Sequence, residues 1–301
     1  MKKLLLGIAA VCLAGFTFAQ DAPLWMRHSV ISPDGTTIAF TYKGDIYTVP
    51  VAGGRAMQIT TNPAYDTAPV WSPDSKRIAF ASDRMGSLDV YIVAKDGGEP
   101  RRLTTHSGSE TPLAFTDAGH VLFSAGIMPS AEAVVFPSNG QFNQVYRVSV
   151  EGGRPTMISS MPMECISINK EGAMLYQDKK GYEDYWRKHH VSPIARDIWM
   201  YTPGKEPQYR QLTTFGGEDR EPVWAPDGKT FYYLSEENGS FNIYRRTPGD
   251  AKAVQLTHYT KNPVRYLSAA TDGRLCYGFD GEIYTLLPGG EAQKVNISIV
   301  S

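Results

Sequence analysis

Three short markers recur in step along this chain, and that recurrence limits the fold more than any other feature. The turn Ser32-Pro33-Asp34-Gly35 returns as Ser72-Pro73-Asp74-Ser75 and Ala225-Pro226-Asp227-Gly228, with weaker copies at Asp117, Glu171 and Asp272. Successive copies lie 40, 43, 54, 56 and 45 residues apart. An aliphatic residue followed by an aromatic one keeps a matching step: Ile46-Tyr47, Val90-Tyr91, Val145-Tyr146, Ile198-Trp199, Ile243-Tyr244 and Ile283-Tyr284. A third marker closes several units, at Ile59-Thr60, Leu103-Thr104, Leu212-Thr213 and Leu256-Thr257. Self-similarity of this kind means one supersecondary unit, repeated because a single copy cannot bury its own apolar face.

The second unit shows what each copy builds. Residues 68–71 read as a first strand, A. Pro73-Asp74 make a turn, with proline presetting φ and the Asp carboxylate free to accept from backbone amides. Residues 77–82 and 89–94 read as strands B and C, rich in β-branched and aromatic residues. Asp96-Gly97-Gly98 is a turn that needs positive φ, and residues 101–104 make strand D. No stretch sustains a helical period. Six four-stranded units of about 45 residues fill the 282 residues after Ala19. The fold class is therefore all-β, a six-bladed β-propeller of four-stranded antiparallel blades. A two-sheet sandwich would not account for sixfold repetition of one turn chemistry. Trp71, Phe115 and Trp224 are expected to pack between neighbouring blades. The first unit opens with its own strand A (residues 25–31) and the last ends with its own strand D (residues 293–300). No strand is then exchanged between the ends, and the ring is expected to close by packing alone.

Residues 1–19 read as a signal peptide: Lys2 and Lys3, an apolar run too short to span a bilayer comfortably, and small residues Thr17 and Ala19 before Gln20. The propeller then occupies residues 20–301, exported to a bacterial periplasm, with no membrane span after cleavage. There are 30 Lys+Arg against 31 Asp+Glu and no basic run, which argues against nucleic acid as a partner. Cys12 leaves with the signal. Cys165 and Cys276 lie in strand-like runs and are expected to be buried small apolar residues rather than a disulfide.

In an A-B-C-D meander the A–B and C–D turns share one face, here tight. The B–C and D–A loops share the other, and the two oversized intervals fall there as B–C insertions at residues 126–144 and 179–196. Elaborated loops on a rigid scaffold are where function concentrates. The second insertion is aromatic and basic, so Tyr185, Trp186, Arg187, Lys188, His189 and His190 form a candidate docking loop for a peptide or another domain. The alternative is a solvated loop pinned to the rim by its aromatics. Adjacent His189 and His190 do not suit one metal ion, and the other histidines are scattered. There is no GxSxG, no HExxH and no paired Cys–His, so no catalytic residue, metal or cofactor is expected.

The run Trp71-Ser72-Pro73-Asp74, Ile78-Ala79-Phe80-Ala81-Ser82, Val90-Tyr91 and Leu103-Thr104 resembles the TolB-type propeller repeat. With Tyr185-Trp186-Arg187-Lys188 and Arg196-Asp197-Ile198-Trp199 in the fourth unit, residues 22–301 resemble the N-terminal six-bladed propeller of tricorn-type serine proteases, in particular exported bacterial homologues. The resemblance implies a non-catalytic segment that shapes peptide access or exit and helps assembly. Its partners would be peptides or the protease domains of a full-length protein, with homo-oligomers formed through that parent. Some members of the family carry basic anchors for a peptide carboxylate. Residues 107–112, where they would be sought here, hold no Arg or Lys, so no substrate-binding residue carries over. A stand-alone TolB-like periplasmic binding module is the competing reading. A six-bladed lactonase or hydrolase is a third, and it lacks the required cluster of acids and Asn.

Overall fold

The computed structural model describes residues 23–126, 143–181 and 191–299. These form six four-stranded antiparallel sheets, each with its strands in sequence order and each built from one repeat. Among the described residues there is no helix. In blade 2 the strands are Asp66–Trp71, Arg77–Ser82, Asp89–Ala94 and Arg101–Arg102. Strands B and C thus fall where the sequence places them, whereas strand A starts two residues earlier and strand D is shorter.

The three markers each have a physical job. In the Ser-Pro-Asp turns, Asp34 Oδ1 accepts from the Thr36 amide at 3.0 Å and Ser32 Oγ from the Thr37 amide at 3.0 Å. The second turn repeats this through Asp74 and Ser72, at 3.2 and 2.9 Å. The turns also dovetail between blades: the Asp34 amide donates to Ser75 Oγ of blade 2 at 3.1 Å. Ser75 holds a φ of 59°, where the equivalent turns carry Gly35 and Gly228. Its hydroxyl bond is what a glycine would forfeit.

The aliphatic–aromatic pair sits in strand C, and its two side chains point to opposite neighbours. Ile46 packs with Trp71 and Phe80 of blade 2, whereas Tyr47 packs with Cys276 and Ile283 of blade 6. Val90 and Tyr91 divide in the same way between blades 3 and 1. A strand whose faces alternate between two apolar neighbours must be apolar at both positions. Trp71 and Trp224 wedge between blades as expected, and their indole N–H groups donate to the Val30 and Ala173 carbonyls at 3.0 and 3.2 Å. Phe115 joins the cluster shared by blades 2 and 3.

The threonine marker caps strand C. Hydroxyls of Thr60, Thr104, Thr213 and Thr257 accept from the buried amides of Ile46, Val90, Ile198 and Ile243 at 2.9–3.0 Å. Thr104→Val preserves shape and removes that acceptor. We expect a loss of about 1–3 kcal/mol, the cost of orphaning a buried amide, read in urea melts. A loss no greater than that of an exposed Thr→Val control would refute the capping role.

Closure differs from the expectation. Each blade keeps its own four strands, with Gln293–Lys294 as strand D of blade 6. Packing is not the whole of it, however. Ile297–Ser298 pairs in parallel with Gly54–Arg55 in the C–D turn of blade 1. The Gly54 amide donates to the Asn296 carbonyl and the Ala56 amide to the Ser298 carbonyl, both at 2.8 Å. The stretch read above as one strand is therefore broken within its described part, residues 293–299. The chain bends at Val295-Asn296, leaves its own sheet and clasps the first blade, while Val295 and Ile297 enter the apolar cluster shared by blades 1 and 6.

Candidate functional site

Strand A is innermost in every blade, and the six A strands surround a central channel of about 1090 Å³. Its lining runs from Pro33, Pro73 and Asn169 on the turn face to Lys179, Gly181 and Arg196 on the loop face. The wall is not made of regular strands. Each A strand breaks register with its B strand once or more, at or beside the same place in the repeat. In five blades the bulge holds a non-glycine residue at positive φ: His28, Ala68, Cys165, Glu221 and Tyr266, all between 49° and 59°. Each such position costs of order 1 kcal/mol. The recurrence shows that the fold imposes it, because the bulge re-aims a side chain that would otherwise enter the sheet packing.

These side chains knit the inner ring. His28 Nδ1 lies 3.1 Å from Thr67 Oγ1 of blade 2, and its ring lies 5.0 Å from that of Tyr266 in blade 6. Glu221 Oε2 accepts from the Leu267 amide at 2.7 Å, and the Glu221 amide donates to Gln177 Oε1 at 2.9 Å. Burial, helped by Arg27, pushes the His28 pKa down to about 4, so the imidazole is neutral at physiological pH. The protein around Cys165, then the carboxylates of Glu221 and Glu164, push its thiol well above the ordinary range. A thiol so held is a poor nucleophile. Tyr266 is raised by burial and by Glu221. At neutral pH the bulges thus present a neutral imidazole and a protonated thiol to the channel.

Cys165 corrects one expectation: it is exposed to the channel instead of buried, because the bulge turns it out of the sheet. Cys276 is fully buried, and both are free thiols.

At the loop-face mouth, blades 4 and 5 carry an ionic network. Arg196 Nε donates to Glu164 Oε2 at 3.1 Å and Arg196 Nη1 to Glu218 Oε1 at 3.3 Å. Arg220 binds the same Glu218, and its guanidinium lies 5.1 Å from the Phe241 ring centroid. Lys179 approaches Glu164 at 3.5 Å. Burial alone would raise the Glu164 pKa, but Arg196, with Gln177 and Lys179, outweighs it and holds the carboxyl below its usual range. Trp199 Nε1 donates to Asp178 Oδ2 at 3.1 Å. The run Arg196-Asp197-Ile198-Trp199 thus braces the interior end of the blade 4 insertion.

The candidate docking residues Tyr185, Trp186, Arg187, Lys188, His189 and His190 lie outside the described residues. Their flanks are anchored: Lys180 Nζ donates to the Ala195 carbonyl at 2.7 Å, and the Ser192 amide to the Gly216 carbonyl at 3.1 Å. The insertion therefore leaves and rejoins the ring at the channel mouth. The bulge residues were missed in the sequence. Pro69 and Pro222, each directly after a bulge residue inside an apparent strand, were the available signal.

Residues 23–292 match the family described as the tricorn protease N-terminal beta propeller domain. Tricorn protease homolog 1 of Streptomyces coelicolor is 26% identical over 283 residues, covering 92% of this chain and 25% of that protein. Among solved structures, the crystal structure of the tricorn protease superposes with a TM-score of 0.76 at 19% identity, over 93% of this chain and 27% of that one. TolB from Acinetobacter baumannii gives 0.66 at 15%, over 87% and 63%. The two structural likenesses speak to fold. The chain spans about a quarter of the length of the tricorn relative it matches.

Proposed function

The chain belongs to the tricorn protease N-terminal β-propeller family, and from that premise we propose that it is the non-catalytic propeller segment of an exported tricorn-type serine protease. In that role the channel shapes peptide access or exit, and the loop-face insertion at residues 179–196 docks a peptide or a neighbouring domain. The supporting observation is the continuous channel, walled by all six blades and carrying at its bulges a neutral imidazole, a protonated thiol and a pinned carboxylate. Such a wall contacts a peptide without cleaving it. Its mixed apolar and polar lining fits extended chains of varied sequence.

Two measurements test this. An antibody raised against the propeller is expected to detect, in the native host, a polypeptide roughly four times the length of this chain, as the share of the relative covered implies. A band at the propeller's own mass would favour the stand-alone TolB-like module. The purified propeller is expected to hydrolyse no member of a peptide library. Steady turnover that resists a serine-protease inhibitor and survives further purification would overturn the non-catalytic assignment.

A further inference from the structure

One arrangement recurs at three blade junctions. A carboxylate at the start of strand C in one blade, or just before it, meets a carboxylate at the start of strand A in the next. The threonine cap lies beside them. The pairs are Asp45 with Asp66, Asp89 with Glu110, and Asp197 with Asp219, brought together where the amides of Asp66, Glu110 and Asp219 donate to the carbonyls of Gly44, Leu88 and Arg196, each directly before the first acid of its pair, at 2.7, 2.7 and 2.9 Å. All but Asp45 are buried.

The junctions differ in how charge is balanced. Between blades 1 and 2, Arg84 Nη2 donates to both oxygens of Asp66, at 3.1 and 2.9 Å, while Asp45 accepts from Thr60 and Gln58. All four carboxylate oxygens of that pair are hydrogen-bonded. Between blades 2 and 3 no oxygen of Asp89 or Glu110 has an aligned hydrogen bond among the described residues. Arg102 approaches Asp89 at 2.9 Å, and the Thr104 hydroxyl and the His106 amide lie beside Glu110. Between blades 4 and 5, Lys180 and Gln211 bind Asp197 Oδ2, while Asp197 Oδ1 and Asp219 Oδ1 have no aligned hydrogen bond among the described residues. Asp178 and Glu237 add further negative charge there, and Ser235 and Thr213 lie beside Asp219. Two buried carboxylates sharing one cation are satisfied when one of them carries a proton.

We propose that the blade 2/3 and blade 4/5 junctions are proton-held, each keeping one carboxyl of its pair protonated, so that these junctions loosen as pH rises. Burial, with the neighbouring acid, pushes Glu110 and Asp219 up to about 7 each. A carboxyl whose pKa is raised on folding stabilises most below its unfolded value, near 4, and that contribution is lost as pH climbs through about 7. The acids also head the A strands that form the channel wall. Glu110 directly precedes Thr111 and Pro112, and Asp219 lies two residues before Glu221 and three before Pro222, all four in the lining. Ionisation at the junction therefore acts on the width and order of the channel.

The test compares Glu110→Gln with Asp219→Asn, together, against wild type in thermal melts from pH 5 to pH 8.5. The variant's melting temperature relative to wild type is expected to rise by roughly 10 °C across that range. Taking the difference cancels His28, whose lowered pKa acts in the opposite sense. Asp66→Asn, where Arg84 would lose the carboxylate that it binds through both oxygens, should instead be destabilising at both ends of that range. A difference independent of pH in the double variant would overturn the proposal. Should that variant fail to fold, infrared spectra of the wild type decide. The carbonyl stretch of protonated carboxyl groups is expected to persist at pH 6 and vanish at pH 8.5, and its absence at pH 6 would equally overturn it.

Discussion

Arg196→Met should cost the propeller about 3 kcal/mol at pH 7, close to the low end of what removing one partner from a buried ion pair costs. The side chain lies between Glu164 of blade 4 and Glu218 of blade 5, at 3.1 and 3.3 Å. Methionine keeps most of the apolar stem and removes the guanidinium, so the change isolates the charge. Lys179 and Arg220 still reach one carboxylate each, which is why the expected cost stays near the low end. The pH dependence separates this from a packing defect. In the wild type Glu164 is held below its usual range, so its contribution is present above the unfolded pKa, near 4.3, and is lost as pH falls through the lower folded value. Without Arg196 burial is no longer outweighed, Glu164 can shed its unpaired charge by taking up a proton, and the variant's deficit should shrink as pH falls from 7 to 4.5. A deficit below about 1 kcal/mol, or one of constant size across that range, would mean that the network contributes little beyond volume.

This bracing bears on how the proposed docking loop works. A loop used for contact must keep its ends fixed while its tip meets a partner. Arg196 and Lys180 fix the two ends through Glu164, Glu218, Asp197 and the Ala195 carbonyl. Substitutions at Trp186 or Arg187 would then change binding, whereas substitutions at Arg196 change the ring.

Blade architecture was legible in the sequence because its causes are local. The Ser-Pro-Asp turns close on themselves through hydrogen bonds spanning two to five residues, as at Asp34 and Ser32. Strand C must be apolar on both faces, and Ile46-Tyr47 says so directly. The channel wall was not legible. Left-handed backbone at His28, Cys165 or Glu221 is set by the bulge in each A strand, and nothing in these residue types announces it. Arg196 read as part of an aromatic-basic surface because its partners lie 32 and 22 residues away. They become neighbours only once the blades stand in a ring. The closing segment misled for a related reason. Val295, Ile297 and Ile299 alternate as one strand would, and the sequence does not show that the first lies beside its own blade while the second crosses to another.

That crossing yields the other large expected effect: Gly53→Ala should cost several kcal/mol more than the same change at Gly152. Both glycines sit in C–D turns with nearly equal positive φ, 86° and 83°. Alanine at either position therefore suffers a backbone penalty of about 1 kcal/mol. They differ in what a methyl group would meet. At Gly152 nothing lies within 4 Å, whereas at Gly53 it would sit 2.5 Å from the Asn296 carbonyl oxygen. That contact is with backbone, so relief requires the closing segment to move. Moving it breaks the bonds from Gly54 to Asn296 and from Ala56 to Ser298, and withdraws Ile297 from the cluster where it is only 8% exposed. Two exposed-edge hydrogen bonds and one buried aliphatic side chain together are worth about 2–4 kcal/mol. Gly53→Ala should accordingly lose about 3–5 kcal/mol in urea melts, against about 1 for Gly152→Ala. Hydrogen exchange at the Gly54 and Ala56 amides should accelerate in the first variant and stay unchanged in the second. Equal costs for the two substitutions would mean that the clasp adds nothing to ring closure, which would then rest on packing between blades 1 and 6 alone.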